Sequence, residues 1–301
     1  MTEFSASLRG NTDPRESTGQ LSQLGGLPRI SVIVPVFNAS AWIEKCLCGL
    51  LNQEYDASLF EIILVDNNSS DDSKTLIRLH ERVRLLEERV QSSYAARNRG
   101  VRESRGELLA FTDADCVPAP NWLQVIASAM RNGRTQAVLG SRGPASASGL
   151  VRLIAAYEDA RVRHILENRR QRSYFAFTSN MAVRRSAFER YGPFHTVARG
   201  GDTLFLQRLA NGEGPEAAEW IADMRVQHLE FGNAWFYVRK SFIYAHARKR
   251  TKHLGQCEDL TAAERLQIFR SVSREWSRRD RMALAFLLSA GRLSWMAGSL
   301  V

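Results

Sequence analysis

The chain has 301 residues, 44% of them hydrophobic, and a formal net charge of +9. That length supports one large α/β domain with an appendage, and four cysteines without metal-ligand spacing exclude a zinc or disulfide framework and read as reduced thiols of a cytosolic setting. The excess charge is local: residues 237–301 hold thirteen Lys or Arg against five Asp or Glu, so a basic tail facing an anionic partner adjoins a nearly neutral remainder.

Residues 1–28 are rich in Ser, Gly, Thr, Asn and Gln, with no apolar central stretch of a secretion signal, and are expected to lack fixed structure. Ile30–Val36 is a continuous apolar run of the kind a strand covered on both faces shows, followed by Phe37, Asn38 and a helix pattern from Ser40 to Leu51. Glu61–Val65 is a second such run, ending in Asp66. The turn and cap residues NNSSDDS lead from it to a helix expected over about Ser73–Glu88.

Leu108–Cys116, LLAFTDADC, reads as a buried strand ending in Asp113 and Asp115. Two carboxylates at i and i+2 of an extended chain point the same way, which suits a hard divalent cation carrying phosphate oxygens. Strands alternating with helices imply βαβ units and a parallel sheet, and ligands bind at the carboxyl ends of its strands. Asp66, Asp113 and Asp115 all fall at such ends.

Further on, Ala137–Gly140 reads as a short strand, residues 149–171 as a charged helix, Phe175–Met181 as extended chain and Ser186–Tyr191 as one helical turn. Gly200-Gly201 precedes a helix from Asp202 to about Leu209, and Trp220–His228 is expected as the final core strand. From Ala234 the pattern is helical and basic. The last 20 residues are apolar except for Arg292, carry small residues at Ala290, Ser294 and Gly298, and are preceded by Arg274, Arg278, Arg279 and Arg281. Three placements stay open for residues 282–301: a helix packed on the core, a helix lying in a membrane interface, or a span.

The segments SVIVPVFNASAWIEKCLCGLLNQ, IILVDNNSSDDS, YAARNRGVRESRGELLAFTDADC and PNWL, in this order, resemble the nucleotide-sugar-binding half of the family-2 glycosyltransferases. The likeness runs on more thinly through FTSNMAVRRSAF and ARGGDTLFLQRL, over roughly residues 29–230. The resemblance implies a GT-A-type fold: a Rossmann-like, mostly parallel sheet flanked by helices over residues 29–233, here with a helical basic C-terminal extension over 234–301. It implies an inverting, metal-dependent transfer from a nucleoside-diphosphate sugar, with a UDP-sugar expected first, to a saccharide or lipid-linked hydroxyl in surface-polysaccharide synthesis at the inner face of the cell membrane.

Residue by residue, the resemblance places Pro35, Val36, Phe37, Asn38 and Asp66 about the nucleobase and ribose, and Arg97 near the nucleotide. It places Asp113, Ala114 and Asp115 at the sugar diphosphate and the Mn²⁺ or Mg²⁺ ion, with Asp115 the direct ligand and Asp113 contacting the ribose or sugar or binding the metal through water. His228 is a further candidate ligand, and Asn180, with Thr178 and Ser179, is expected to line the donor or acceptor pocket. Asp202 is the candidate base, although many members carry Glu-Asp where this chain has Gly201-Asp202. Its place at a helix start favours the ionised carboxylate. Trp122 and Trp220 read as core residues.

Rival readings are transfer to polyprenyl phosphate, whose oxygen needs no base, a non-catalytic nucleotide-sugar binder, and a nucleic-acid-binding protein. Against the last, the tail arginines are not interleaved with a recognisable binding module, and the strand-end acids repel a phosphate backbone, so no nucleic-acid partner is expected.

Overall fold

The computed structural model describes residues 26–144, 149–168, 176–229, 234–251, 254 and 260–300. The expectations for residues 1–25 and for Cys257 lie outside the described residues. Eight strands form one sheet: β1 (Ile30–Val36), β2 (Phe60–Asp66), β3 (Val83–Glu87), β4 (Leu108–Thr112), β5 (Cys116–Pro118), β6 (Ala137–Pro144), β7 (Asn180–Arg184) and β8 (Ala218–His228). Their spatial order is β3-β2-β1-β4-β7-β6-β8-β5.

The half β3-β2-β1-β4 is all parallel. Beyond it the sheet is mixed: β4–β7, β7–β6 and β8–β5 are antiparallel, while β6–β8 is parallel. Six of the eight strands run in one direction and only β7 and β5 are reversed, so the sheet is mostly parallel, as expected. Strand order reverses between β1 and β4, where the crossovers diverge and open a crevice at the strand ends. The reversed β7 starts there, with Asn180 opposite Thr112, so residues just before β7 arrive beside the acids that follow β4.

Alternation along the strands feeds two cores. Ile33, Leu109 and Phe111 enter one cluster. Val32, Val34, Leu108 and Ala110 enter the other, as the two-residue period of a strand requires. The second face is covered by α1 (Ile43–Leu51), through Ile43, Cys46, Leu47 and Leu50, and by α4 (Trp122–Ala129). Trp122 is a core residue, and Trp220 packs at the edge of the first cluster.

Between them run α2 (Ser73–Arg78) and α3 (Ser93–Glu103), the latter capped by the Ser92 hydroxyl, which accepts from the Tyr94 N–H at 3.3 Å. The helix expected over 73–88 stops at Arg78 because the segment 83–87 becomes edge strand β3, paired along β2 from Ile62↔Val83 to Asp66↔Glu87. Backbone pairing to an open sheet edge overrides a sequence rich in helix-forming Arg, Leu and Glu.

The first face is covered by α5 (Gly149–Glu167), α6 (Arg185–Tyr191), α7 (Gly201–Glu213), α8 (Ala234–Thr251), α9 (Ala262–Ser273) and α10 (Arg278–Leu300). Helix α9 opens with a capping box between Thr261 and Glu264.

Helix α10 is long and apolar enough to cross a membrane by length and composition. One side of it joins the main core through buried Leu284 and Leu287. Gly291 lies against the Tyr237 ring, Gly298 against the Phe242 backbone, and the Ser294 hydroxyl donates to the Val238 carbonyl at 2.8 Å. The small-residue stripe is thus the seam with α8, and Gly291 takes the place expected for Ala290. The opposite side leaves Met282, Phe286, Leu293, Met296 and Leu300 exposed.

Candidate functional site

A cavity of about 2090 Å³ opens at the carboxyl ends of the parallel strands. Its walls include Pro35, Val36, Phe37 and Asn38 after β1, Asn67 after β2, Tyr94 and Arg97 on α3, and Asp113, Ala114 and Asp115 after β4. Thr178, Ser179, Asp202 and His228 complete this end.

The loops after β1 and β2 are stapled together. The Asn38 N–H donates to the Ser69 hydroxyl at 3.0 Å, and the Ser70 N–H donates to Asn38 Oδ1 at 2.8 Å. Asn67 ties down the loop before α3: its Nδ2 donates to the Glu88 and Val90 carbonyls, and its Oδ1 accepts from the Ser92 N–H. Asp66 stands behind this lining. Its Oδ2 accepts from the Ser69 N–H at 3.2 Å, and Lys74 Nζ lies 3.9 Å away. Its buried Oδ1 has no hydrogen-bond partner among the described residues. A buried carboxylate oxygen left in this way is costly unless a ligand donates to it.

Asp113 and Asp115 face different partners. Asp113 is bonded to the buried guanidinium of Arg97, whose charge also lies over the Tyr94 ring at 5.7 Å. Asp115 Oδ2 lies 3.6 Å from His228 Nδ1. Cys116↔His228 pairing of β5 with β8 brings these residues together from distant parts of the chain.

Ligand atoms of Asp115, Cys116 and His228 all lie within 4.8 Å of one another. Burial pushes His228 down to about 3, so its imidazole is neutral and able to coordinate at physiological pH. Burial also holds the Cys116 thiol far above its ordinary pKa, aided by the charges of Asp115 and Asp113, so it stays protonated inside the core. The donor set that fits a hard divalent ion is therefore the Asp115 oxygen and the His228 nitrogen. Asp113 lies outside this cluster and is bonded to Arg97.

Asn180 does not line the cavity. Its Nδ2 donates to the Ser141 and Met224 carbonyls, each at 2.8 Å, and its Oδ1 accepts from the Trp122 indole at 2.8 Å. Every polar atom of this fully buried amide is used to clamp β7 to β6, β8 and α4. Its neighbours Thr178 and Ser179 reach the cavity instead.

Asp202 is buried at the start of α7, where its carboxylate accepts three hydrogen bonds. The Tyr94 hydroxyl donates to Oδ1 at 3.0 Å, the Thr203 N–H to Oδ1 at 2.9 Å and the Thr178 N–H to Oδ2 at 3.2 Å. Burial nevertheless raises its pKa above the ordinary value, so desolvation outweighs the helix start and the three donors.

The Gly-Gly before Asp202 has a steric origin. Gly200 has φ +87°, a left-handed conformation that side chains disfavour. A Cβ on Gly201 would sit 2.7 Å from the His195 carbonyl and 3.0 Å from the Tyr94 ring, so the Glu common at this position in the family has no room here. The Tyr94 hydroxyl also accepts from the Gly200 N–H at 3.1 Å. Tyr94 thus locks both the turn and the acid. It escapes a sequence reading, since an isolated Tyr at a helix start carries no pattern linking it to a residue 108 positions away.

The Glycosyl transferase family 2 profile matches residues 31–192, more than half of the chain. The chain belongs to glycosyl transferase family 2. It is 34% identical over 192 residues to the glycosyltransferase AglE of Haloferax volcanii, a match spanning 62% of this chain and 62% of AglE, under two thirds of that relative's length.

Among solved structures it superposes on the mannosyltransferase PcManGT from Pyrobaculum calidifontis, determined with GDP-Man and Mn²⁺, with TM-score 0.58 and 19% identity over 91% of this chain and 73% of that one. It also superposes on glucosyl-3-phosphoglycerate synthase from Mycobacterium tuberculosis, determined with Mn²⁺, uridine diphosphate and glucosyl-3-phosphoglycerate. There the TM-score is 0.56 and the identity 17%, over 84% of this chain and 88% of that one. The GT-A-type fold implied by the resemblance is the fold observed.

Proposed function

We propose that the protein transfers a sugar from a nucleoside-diphosphate sugar to a hydroxyl group, with inversion at the anomeric carbon. Residues 29–233 form the catalytic unit, and helices α8, α9 and α10 of the C-terminal extension close one side of its cavity. The observation that carries the reading is the convergence of Arg97, Asp115, His228 and Asp202 on one cavity from four separate stretches of sequence, with Asp66 at the end of β2 behind its lining.

The orphaned Asp66 Oδ1 suits a nucleobase N–H, which uracil and guanine offer at a ring nitrogen and adenine does not. A UDP-sugar is the first donor to test and a GDP-sugar the second. Asp115 and His228 would hold Mn²⁺ or Mg²⁺, whose charge would offset the negative charge of the departing diphosphate. Arg97 keeps Asp113 fixed beside that position.

Asp202 takes the proton from the acceptor hydroxyl, and the freed oxygen forms the new bond to the anomeric carbon as the diphosphate leaves. A single displacement assisted by one base inverts that carbon through an oxocarbenium-like transition state. The raised pKa of Asp202 makes it a stronger base than an exposed aspartate.

The acceptor is a saccharide or lipid-linked saccharide of a surface-polysaccharide route, met at the cytoplasmic membrane face. Support for the membrane comes from α10, whose exposed Met282, Phe286, Leu293, Met296 and Leu300 lie on one side, with exposed Arg278, Arg279 and Arg281 at its start. An apolar stripe and a cluster of cations act together on an anionic surface.

The test of the chemistry is Asp202→Asn. It is expected to lower kcat by roughly 10²–10⁴ while donor affinity stays within a few-fold. Collapse of donor affinity with kcat unchanged makes Asp202 a binding residue and ends the reading.

A further inference from the structure

The same cavity is also walled by residues of α8, α9 and α10, including Tyr237, Tyr244, Leu266, Phe269, Leu288 and Leu293. Two arginines, Arg142 and Arg199, line this cavity together with Asp202. Arg142, on β6, lies with its guanidinium carbon 3.3 Å from the centre of the Phe177 ring. Its buried Nε has no hydrogen-bond partner, and its guanidinium makes no ion pair among the described residues. Asp159 turns its oxygens to the Ser141 hydroxyl and the Arg142 backbone N–H rather than to the guanidinium; burial raises its pKa and the Arg142 charge opposes that rise.

Arg199, in the turn before α7, lies 5.4 Å from the centre of the Tyr244 ring on α8, likewise with no ion pair among the described residues. Tyr244 stands within electrostatic reach of Arg199, Arg142 and Asp202 together. Guanidinium groups laid on aromatic faces, with no close ion pair among the described residues, are prepared for a planar, multi-oxygen anion.

The cavity wall also includes apolar Leu266 and Phe269 of α9 and Leu288 and Leu293 of α10. Leu266 is 46% and Leu293 68% exposed, so the apolar wall continues onto the outer stripe of α10. An anion receptor beside the candidate base, followed by an apolar path to the surface, fits one kind of ligand.

We propose that Arg142 and Arg199 bind the phosphate of a lipid-linked acceptor whose hydrocarbon chain leaves along Leu266, Phe269, Leu288 and Leu293. This rests on the proposed transfer only for the direction of the acceptor, and it is tested by binding rather than turnover. The full chain is titrated, without divalent metal, with farnesyl diphosphate, farnesol and inorganic diphosphate.

Farnesyl diphosphate is expected to bind at least tenfold more tightly than either fragment. The double variant Arg142→Gln/Arg199→Gln is expected to lose at least tenfold of that affinity, with Mn²⁺-dependent UDP or GDP binding kept within threefold. Leu266→Glu, at an exposed position that leaves the fold undisturbed, is expected to weaken farnesyl diphosphate and not inorganic diphosphate.

Equal affinity of wild type and double variant overturns the proposal. A parallel loss of nucleotide binding assigns the arginines to the donor diphosphate instead. Inorganic diphosphate binding as tightly as the prenyl compound removes the lipid. Loss of prenyl diphosphate binding in the arginine variants, alongside unchanged turnover by Asp202→Asn, would leave this site standing and fell the base.

Discussion

Replacing Tyr94 by Phe removes one hydroxyl and leaves the ring that packs on Gly201. Two hydrogen bonds go with it: the one donated to Asp202 Oδ1 at 3.0 Å and the one accepted from the Gly200 N–H at 3.1 Å. A buried hydrogen bond to a charged acceptor is worth about 1.5–3 kcal/mol. At 1.36 kcal/mol per pKa unit, that corresponds to a rise of about 1–2 units in Asp202 if the full interaction is lost.

The sign follows from the protonation state that works. Burial already raises Asp202, and the Tyr94 donor opposes that rise by favouring the carboxylate. The base acts only when deprotonated, so kcat falls as pH drops through its pKa. In Tyr94→Phe the acid limb of the kcat profile is expected to move to higher pH by about 1–2 units. The high-pH plateau changes less, and the KM for the nucleotide-sugar stays within a few-fold. The assay is nucleoside-diphosphate release across the acid range for wild type and variant. An acid limb at the same pH in both, with only a uniform loss of rate, would refute the claim that Tyr94 tunes Asp202.

Gly201→Ala places a methyl 2.7 Å from the His195 carbonyl. Overpacking of this kind costs about 1–3 kcal/mol and is expected to lower Tm by several degrees in a thermal melt, with a further loss of kcat as Asp202 shifts. Deleting residues 282–301 strips Leu284 and Leu287 from the main core. Buried leucines cost about 2–5 kcal/mol each on truncation to Ala, so the deletion is expected to unfold or severely destabilise the chain, as circular dichroism would report. Retention of a native melt after the deletion would make α10 a dispensable anchor.

The parallel half of the fold was legible in the sequence because its strands are continuous apolar runs closed by turn residues, as in Ile30–Val36 and Glu61–Asp66. Segment 83–87 was not legible: its VRLLE suits a helix equally well, and only the open edge of β2 decides it. The acids at the strand ends were readable from the DAD spacing and the resemblance.

What was not readable is how side chains divide the work. Asn180 spends its amide on clamping β7 to β6, β8 and α4, Asp113 turns to Arg97, and Tyr94 reaches Asp202 across the crevice. Each depends on contacts between residues far apart in sequence. The small-residue stripe near the C-terminus suggested close helix packing, and the seam between α8 and α10 is that contact. The sequence pattern could not say which side of α10 would remain exposed.

The central claim is a divalent-metal-dependent nucleotide-sugar site centred on Asp115. Its most direct measurement is the thermal shift of wild type and Asp115→Asn, with Mn²⁺ and UDP or GDP added singly and together. Ligands that bind the folded state alone stabilise it by mass action, about 2.7 kcal/mol at a hundredfold excess over Kd. The account predicts a clear rise in Tm for wild type only when metal and nucleotide are both present, and no such rise for Asp115→Asn despite an unchanged melt without ligand. An equal metal-dependent rise in the variant would contradict it.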